Sequence, residues 1–204
     1  MTGNPLIVVF DIGNVLLRWD PRNLFRKAFG DERRMERFQA TALAMEFVAH
    51  TDIAADFAQA IAERAKVFPE FADELRLFHE RWEETLGGPI EENVALLRRL
   101  KAVGRPVHAL SNFAHEKFAL AQQRYDFLNE FDRCVVSGHV GVVKPDPRIF
   151  DILFARVGRP ANALLFVDDS IANVRAAEAT GMAAIHYRPG VDLERELRFR
   201  GALP

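Results

Sequence analysis

The 204-residue chain has a single cysteine, Cys134. One thiol cannot close an internal disulfide, so no disulfide framework supports the fold. A surplus of positive charge is also missing: 27 basic residues against 29 acidic ones give a net charge of −2. That excludes a general binder of nucleic acid or of acidic membranes, which would need a basic surface. No apolar run approaches the ~20 residues that a bilayer span requires. The N-terminal stretch, MTGNPLIVVFD, has no basic region and its apolar run stops at Asp11, so it does not read as a secretory signal. The expectation is a cytoplasmic protein. Internal repeats and low-complexity segments are absent. Lysine is scarce, with 5 among the 27 basic residues, so each lysine invites a question. What is present is ordinary for a globular chain: 49% hydrophobic and 27% charged residues. A chain of this length buries roughly 70% of the surface its unfolded form exposes, enough for a sizeable core.

Three apolar runs have strand length: residues 6–10 (LIVVF), 107–110 (VHAL) and 164–167 (LLFV). Continuous apolarity suits strands buried on both faces. Residues 134–136 and 183–187 are weaker candidates. Amphipathic helical patterns lie between them, at 92–102, 147–157, 171–180 and 192–199. In the first of these Val94, Leu97 and Leu100 share one face. Strand alternating with helix predicts an α/β fold, a Rossmann-like parallel sheet with helices on both faces. Residues 18–89 break the alternation. No convincing strand is visible there; helices are expected near 21–29, 32–48, 53–66 and 69–85, and Gly87-Gly88-Pro89 closes the segment. The expected organisation is a catalytic core of residues 1–17 and 90–204 with an inserted α-helical cap over 18–89. Hinges are expected near 17–20 and 87–89.

Ligands of a parallel sheet bind beyond the carboxyl ends of its strands. Asp11 follows the first strand, in FDIGNV. Ser111 and Asn112 follow the second. Lys144, in KPDP, follows the third, and Asp168 and Asp169, in VDDS, follow the fourth. Singly, each has a plain reading as a strand end, a helix cap or a solvated surface group. Together they bring carboxylates, an ammonium, a hydroxyl and an amide to one end of one sheet. Converging carboxylates repel and call for a cation. Hard oxygen ligands with open positions suit Mg2+, which keeps waters and meets a substrate phosphate.

The ordered set FDIGNV, LSN, KPDP and FVDDSIAN resembles the four motifs of the haloacid dehalogenase-like hydrolases, over the whole chain. The resemblance implies that Asp11 is a nucleophile that forms an aspartyl-phosphate. It implies that Ser111 and the backbone N–H of Asn112 bind the transferring phosphoryl group, and that Lys144 contacts both Asp11 and phosphoryl oxygens. Mg2+ would be held by Asp11, Asp169, Asp168 and the carbonyl of Gly13, with Asn173 in support. The implied activity is hydrolysis of small phosphomonoesters, sugar phosphates first among them. Motifs DIGNV and WDP also resemble those of bacterial glucose-1-phosphate phosphatases and of the phosphatase-type domain of bifunctional epoxide hydrolases.

One position departs from that pattern. The family's first motif has a second Asp two residues after the nucleophile, which protonates the leaving oxygen and then activates water. Here it is Gly13. Asp20, in the run that opens the cap, is the candidate replacement. Trp19, Arg22, Phe47 and His50 are candidate substrate contacts from the cap. Two other functions are compatible with the motifs: a 2-haloacid dehalogenase using Asp11 on carbon without metal, and a catalytically weak binding module. The paired acids at 168 and 169, and Gly13-Asn14-Val15 after the nucleophile, favour phosphate and Mg2+. The expected partner is a small phosphorylated metabolite, with no nucleic acid and no membrane, and the expected assembly a monomer or homodimer.

Overall fold

The computed structural model describes residues 5–204. Residues 1–4, part of the first core segment and of the stretch read as lacking a leader, lie outside the described residues. In chain order, β1 (Ile7–Phe10) and β2 (Leu17–Trp19) precede five helices: α1 (Arg22–Ala28), α2 (Glu32–Ala40), α3 (Met45–Thr51), α4 (Phe57–Val67) and α5 (Ala72–Glu80). Then come β3 (Leu86–Pro89), α6 (Glu91–Ala102), β4 (Val107–Ser111), α7 (His115–Arg124), β5 (Arg133–Val136) and α8 (Ser137–Val140). The chain ends with α9 (Pro147–Val157), β6 (Leu164–Asp168), α10 (Ile171–Ala179), β7 (Ala183–His186) and α11 (Leu193–Phe199).

Five parallel strands form the central sheet, in the order β5-β4-β1-β6-β7. Chain order reverses at the central β1, so the crevice for a ligand opens beside its C-terminal end. Side chains alternate between the faces, and both faces are covered. Val8, Phe10, Val107, Ala109, Leu165 and Val167 pack on one side, in a core that continues into the helical segment. Val9, Leu110, Val135 and Phe166 pack on the other, against α9 and α10 through Ile149, Phe150 and Val174. This two-sided burial is what the continuous apolar runs predict.

Local signals set the helix ends that matter for the site. Asp146 caps α9, accepting from the Arg148 N–H at 2.9 Å, with Pro147 at the first helical position. That start fixes the chain just after Lys144. At the other end Gly158 adopts φ 66°, a left-handed cap that glycine takes without strain.

The helical segment differs from expectation in two places. Residues 18–89 do contain strand: β2 and β3 pair antiparallel, with Leu17 opposite Pro89, so the two expected hinge regions form one ribbon. These runs are too short for a periodic signal, and their pairing joins residues some seventy positions apart. The helix expected over 32–48 is two helices. α2 stops at Ala40 and α3 starts at Met45, and Arg64 reaches back to the Thr41 and Ala42 carbonyls, at 2.6 and 2.9 Å. Those carbonyls face a guanidinium, which lets the chain turn there rather than continue helical.

Candidate active site

The loop after β1 is shaped by its own backbone. Ile12 O accepts from the N–H groups of both Leu16 and Leu17 at 2.9 Å, which folds the chain back at once. Asn14 sits at φ 53°, a left-handed conformation that Asn tolerates, and its Oδ1 accepts from the Trp19 N–H at 2.9 Å. The turn leaves Asp11 at the strand end. Its Oδ1 accepts from the Ile12 N–H at 2.7 Å and lies 2.8 Å from Lys144 Nζ. Among the described residues nothing donates to Oδ2, so one oxygen is held and the other is free.

Lys144 is almost fully withdrawn from solvent. Its ammonium has three donors, and all three are used: Asp11 Oδ1 at 2.8 Å, Asp168 Oδ2 at 2.7 Å and Leu110 O at 3.0 Å. Burial pulls its pKa down, but the charges of Asp11 and Asp168 outweigh this and leave it raised. Asn112 holds the same segment. Its amide donates to Lys144 O at 3.0 Å and accepts from Lys144 N–H at 2.7 Å.

Asp168 and Asp169 are adjacent but unequal. Asp168 is fully buried. Ser170 N–H and Asn173 Nδ2 donate to its Oδ1, at 2.8 and 3.0 Å, while Lys144 and Asn173 donate to its Oδ2, at 2.7 and 3.2 Å. A carboxylate has about four lone-pair sites, so Asp168 is saturated by the protein. Asp169 is half-buried and faces the cavity. Burial raises its carboxyl pKa and the Asp168 charge adds to this, against Lys144 and the Asn14 amide. Burial also raises Asp11; Lys144 opposes it, and Asp168 and Asp169 push further up. Carboxylate oxygens of Asp11, Asp168 and Asp169 lie within 4.8 Å of one another. Three carboxylates against one ammonium leave an excess of negative charge, and a divalent cation fits that donor set.

A cavity of about 380 Å³ opens over these groups. Asp11, Gly13, Asn112, Lys144, Asp169 and Asn173 face it from the sheet end. Ser111 is buried at the end of β4 and does not line it. Of the four expected contacts from the helical segment, Trp19 lines the cavity. The other three do not. Arg22 is turned to Gln39 on the surface, at 3.3 Å. Phe47 and His50 stack on one another, 6.3 Å between ring centroids, and border a separate surface hollow with Arg64. Asp20 also lies outside the cavity lining, its carboxylate accepting from the Arg22 N–H at 2.8 Å at the start of α1.

Besides Thr51, α3 faces the cavity with Met45, Val48, Ala49 and, just past its end, Asp52. That is the i, i+3, i+4, i+7 stripe of one helical face, and Phe47 and His50 occupy another. Phe57, Phe78 and Trp82 complete an apolar wall. Lys117 of α7 reaches it too, 4.5 Å from the Phe57 ring centre, with its ammonium on His79 O at 2.9 Å and Glu116 Oε1 at 2.9 Å. This core-helix lysine joins the sheet domain to α5.

Residues 6–181 match the family model of the haloacid dehalogenase-like hydrolases. The chain belongs to that family. A curated relative, the sesquiterpene phosphatase astK of Aspergillus oryzae, is 26% identical over 93% of this chain and 93% of its own length. Drimenol cyclase drtB of Aspergillus calidoustus is 26% identical over 93% of this chain, but the match covers 35% of that longer protein. A solved member from Bacteroides thetaiotaomicron, the family enzyme bt-2542, superposes with a TM-score of 0.75 at 19% identity, covering 96% of this chain and all of that one. The same bt-2542 is known in complex with magnesium and inorganic phosphate. The parallel sheet with helices on both faces is the fold of this hydrolase family, and among the described residues no helix is long and apolar enough to cross a membrane.

Proposed function

We propose that the chain is a Mg2+-dependent phosphomonoester hydrolase that works through an aspartyl-phosphate on Asp11. The observation that carries this reading is the acidic cluster around Asp11, of which Lys144 neutralises only part. Free Asp11 Oδ2 is the nucleophile: it bonds to phosphorus as the bond from phosphorus to the leaving oxygen breaks. Lys144 holds Oδ1 and offsets charge on the phosphoryl group. Asp168 and Asn173 position Lys144, and Asn112 positions its main chain. The Asn112 N–H meets phosphoryl oxygens. Asp11, Asp169 and the Gly13 carbonyl would hold Mg2+ directly, with Asp168 in the shell around them. The ion would supply the positive charge that phosphoryl transfer requires.

Residues 18–89 serve as the cap over a core of residues 1–17 and 90–204, and exclude bulk water from the reaction. The wall they present bears on the substrate. Sugar phosphates head the classes implied by the motifs, yet a sugar brings several hydroxyls, and each one buried without a partner costs about 1–3 kcal/mol. Met45, Val48, Phe57 and Phe78 offer none, and Trp82 offers only its indole N–H. An ester of an apolar alcohol suits this wall better, in keeping with the name of the sesquiterpene phosphatase astK.

The test is phosphate release from alkyl, prenyl and sugar monophosphates, with Mg2+ and with EDTA. Turnover that needs Mg2+ and disappears in Asp11→Asn is the expected result. Chloride release from 2-chloropropionate in EDTA, without phosphatase activity, would establish the dehalogenase reading instead.

A further inference from the structure

Gly13 leaves the site without a carboxyl two residues after the nucleophile, and an alcohol departs poorly as an unprotonated alkoxide. The cavity holds a carboxyl from another element. Asp52, at the end of α3, faces the space that Asp11 and Asp169 face from the sheet. Among the described residues lining that space, these three are the only carboxylates.

Asp52 is fixed to the core rather than hung on the helical segment alone. Ser137 Oγ, in α8, donates to its main-chain carbonyl at 3.0 Å and accepts from the Phe113 N–H at 2.8 Å. Gly138 permits this arrangement: a Cβ there would stand 2.3 Å from the His115 nitrogen, so α8 can approach the 113–115 loop only without a side chain. We infer that Asp52 is the general acid and base of the reaction, supplying from the helical segment the proton that position 13 cannot.

Burial pushes the Asp52 carboxyl up to about 7, the Asp11 charge adding to this while Lys144 and a hydrogen bond from the Ala114 backbone N–H pull it down. A group that gives and then takes a proton works best with a pKa near the working pH. In the first half-reaction Asp11 Oδ2 bonds to phosphorus, the bond from phosphorus to the leaving oxygen breaks, and the Asp52 proton passes to that oxygen. In the second, water attacks phosphorus and gives a proton to the Asp52 carboxylate. The bond from phosphorus to Asp11 breaks, and inorganic phosphate leaves with Asp52 protonated again.

The inference rests on the phosphatase reading above, and the experiment separates the two. Wild-type turnover that requires Mg2+ and Asp11 tests the reading, and its absence overturns both. Asp52→Asn then tests the inference through leaving-group dependence. Its kcat/KM for alkyl phosphates should fall about 100-fold or more. The fall for p-nitrophenyl phosphate, whose leaving group needs no proton, should be much smaller. Its kcat for p-nitrophenyl phosphate should be set by slow hydrolysis of the phosphoenzyme, with a burst of p-nitrophenol. A Cβ at Gly13 would meet no atom within 4 Å, so Gly13→Asp has room for a carboxyl. Added to Asp52→Asn, it should restore the shallow leaving-group dependence. If Asp52→Asn alters the melting transition, Asp52→Ser is read the same way. Equal losses for alkyl and aryl phosphates, or no loss for either, would overturn the assignment.

Discussion

Asn173 donates to both oxygens of Asp168, at 3.0 and 3.2 Å, and so completes the saturation of a carboxylate that Lys144 and the Ser170 N–H already engage. The neighbouring Asp169 is half-buried and opens on the cavity. Two adjacent acids therefore have separate tasks. Asp168 belongs to the framework that holds Lys144, and Asp169 is open to a cation.

The two acids should respond differently to substitution. Removing one partner of a buried ion pair costs about 3–5 kcal/mol, because the other is left uncompensated. Asp168→Ala should lose stability of that order in urea unfolding carried out in EDTA. Asp169→Asn should leave the metal-free stability unchanged or somewhat raised, since burial and the Asp168 charge oppose its ionised form. Mg2+ should raise the wild-type melting temperature by binding the folded state, and that rise should be lost in Asp169→Asn. Equal destabilisation by both substitutions would contradict the division.

The strand-end residues were legible because a parallel sheet gathers the ends of distant strands at one edge, so a continuous apolar run followed by Asp11 or Asp168 carries positional information. The side of α3 that lines the cavity was not. Phe47 and His50 are the chemically conspicuous residues of that helix, but the lining runs through Met45, Val48, Ala49, Thr51 and Asp52. Seeing it requires the true helix start, and the pattern over 32–48 hides the break at 41–44. Asp20 stands near position 13 in sequence but outside the cavity lining, whereas Asp52 lines the same cavity as Gly13. The β2–β3 ribbon pairs short runs across the whole helical segment, and no local pattern encodes such a pairing.

That break predicts a role for Arg64. Its guanidinium bonds the Thr41 and Ala42 carbonyls and lies 4.8 and 4.5 Å from the ring centres of Phe47 and Phe68. Hydrogen bonds to a charged group contribute about 1.5–3 kcal/mol. Arg64→Ala should destabilise by about that amount in urea titration. Arg64→Lys should recover only part, because an ammonium cannot span two carbonyls and stack on two rings. A substitution to Ala without effect would show that the turn at 41–44 needs no such support.

Cys134 gives a pH dependence of known sign. Burial pushes its thiol up to about 12, with Arg156 opposing. A free thiol ionises near ~8.5. Between those values the unfolded chain loses the proton that the folded chain keeps, so the thiol's contribution to stability falls as pH rises. The unfolding midpoint of the wild type should decline between pH 8 and 10 more steeply than that of Cys134→Ala. Native protein at pH 8 should react slowly with a thiol reagent, and urea-unfolded protein rapidly. Parallel declines for the two proteins would show that Cys134 titrates normally when folded.

The substrate preference can be probed at Met45, which lines the cavity yet keeps 63% of its surface exposed, so the fold places little demand on it. Exposed sites away from structural features usually change stability by less than about 0.5 kcal/mol on substitution. Met45→Gln should therefore fold as the wild type does. It removes an apolar contact at the mouth and adds an amide that a long hydrocarbon chain must leave solvated or bury unpaired. Losing one such contact is worth about 1–3 kcal/mol in discrimination, or about 10- to 200-fold. KM for a long-chain alkyl or prenyl phosphate should rise within that range. For acetyl phosphate, which is too small to reach the mouth, KM should stay as it is. A matching rise for both would mean that Met45 governs the packing of the helical segment over the cavity rather than contact with substrate, and gains for sugar phosphates alone would return those esters to first place.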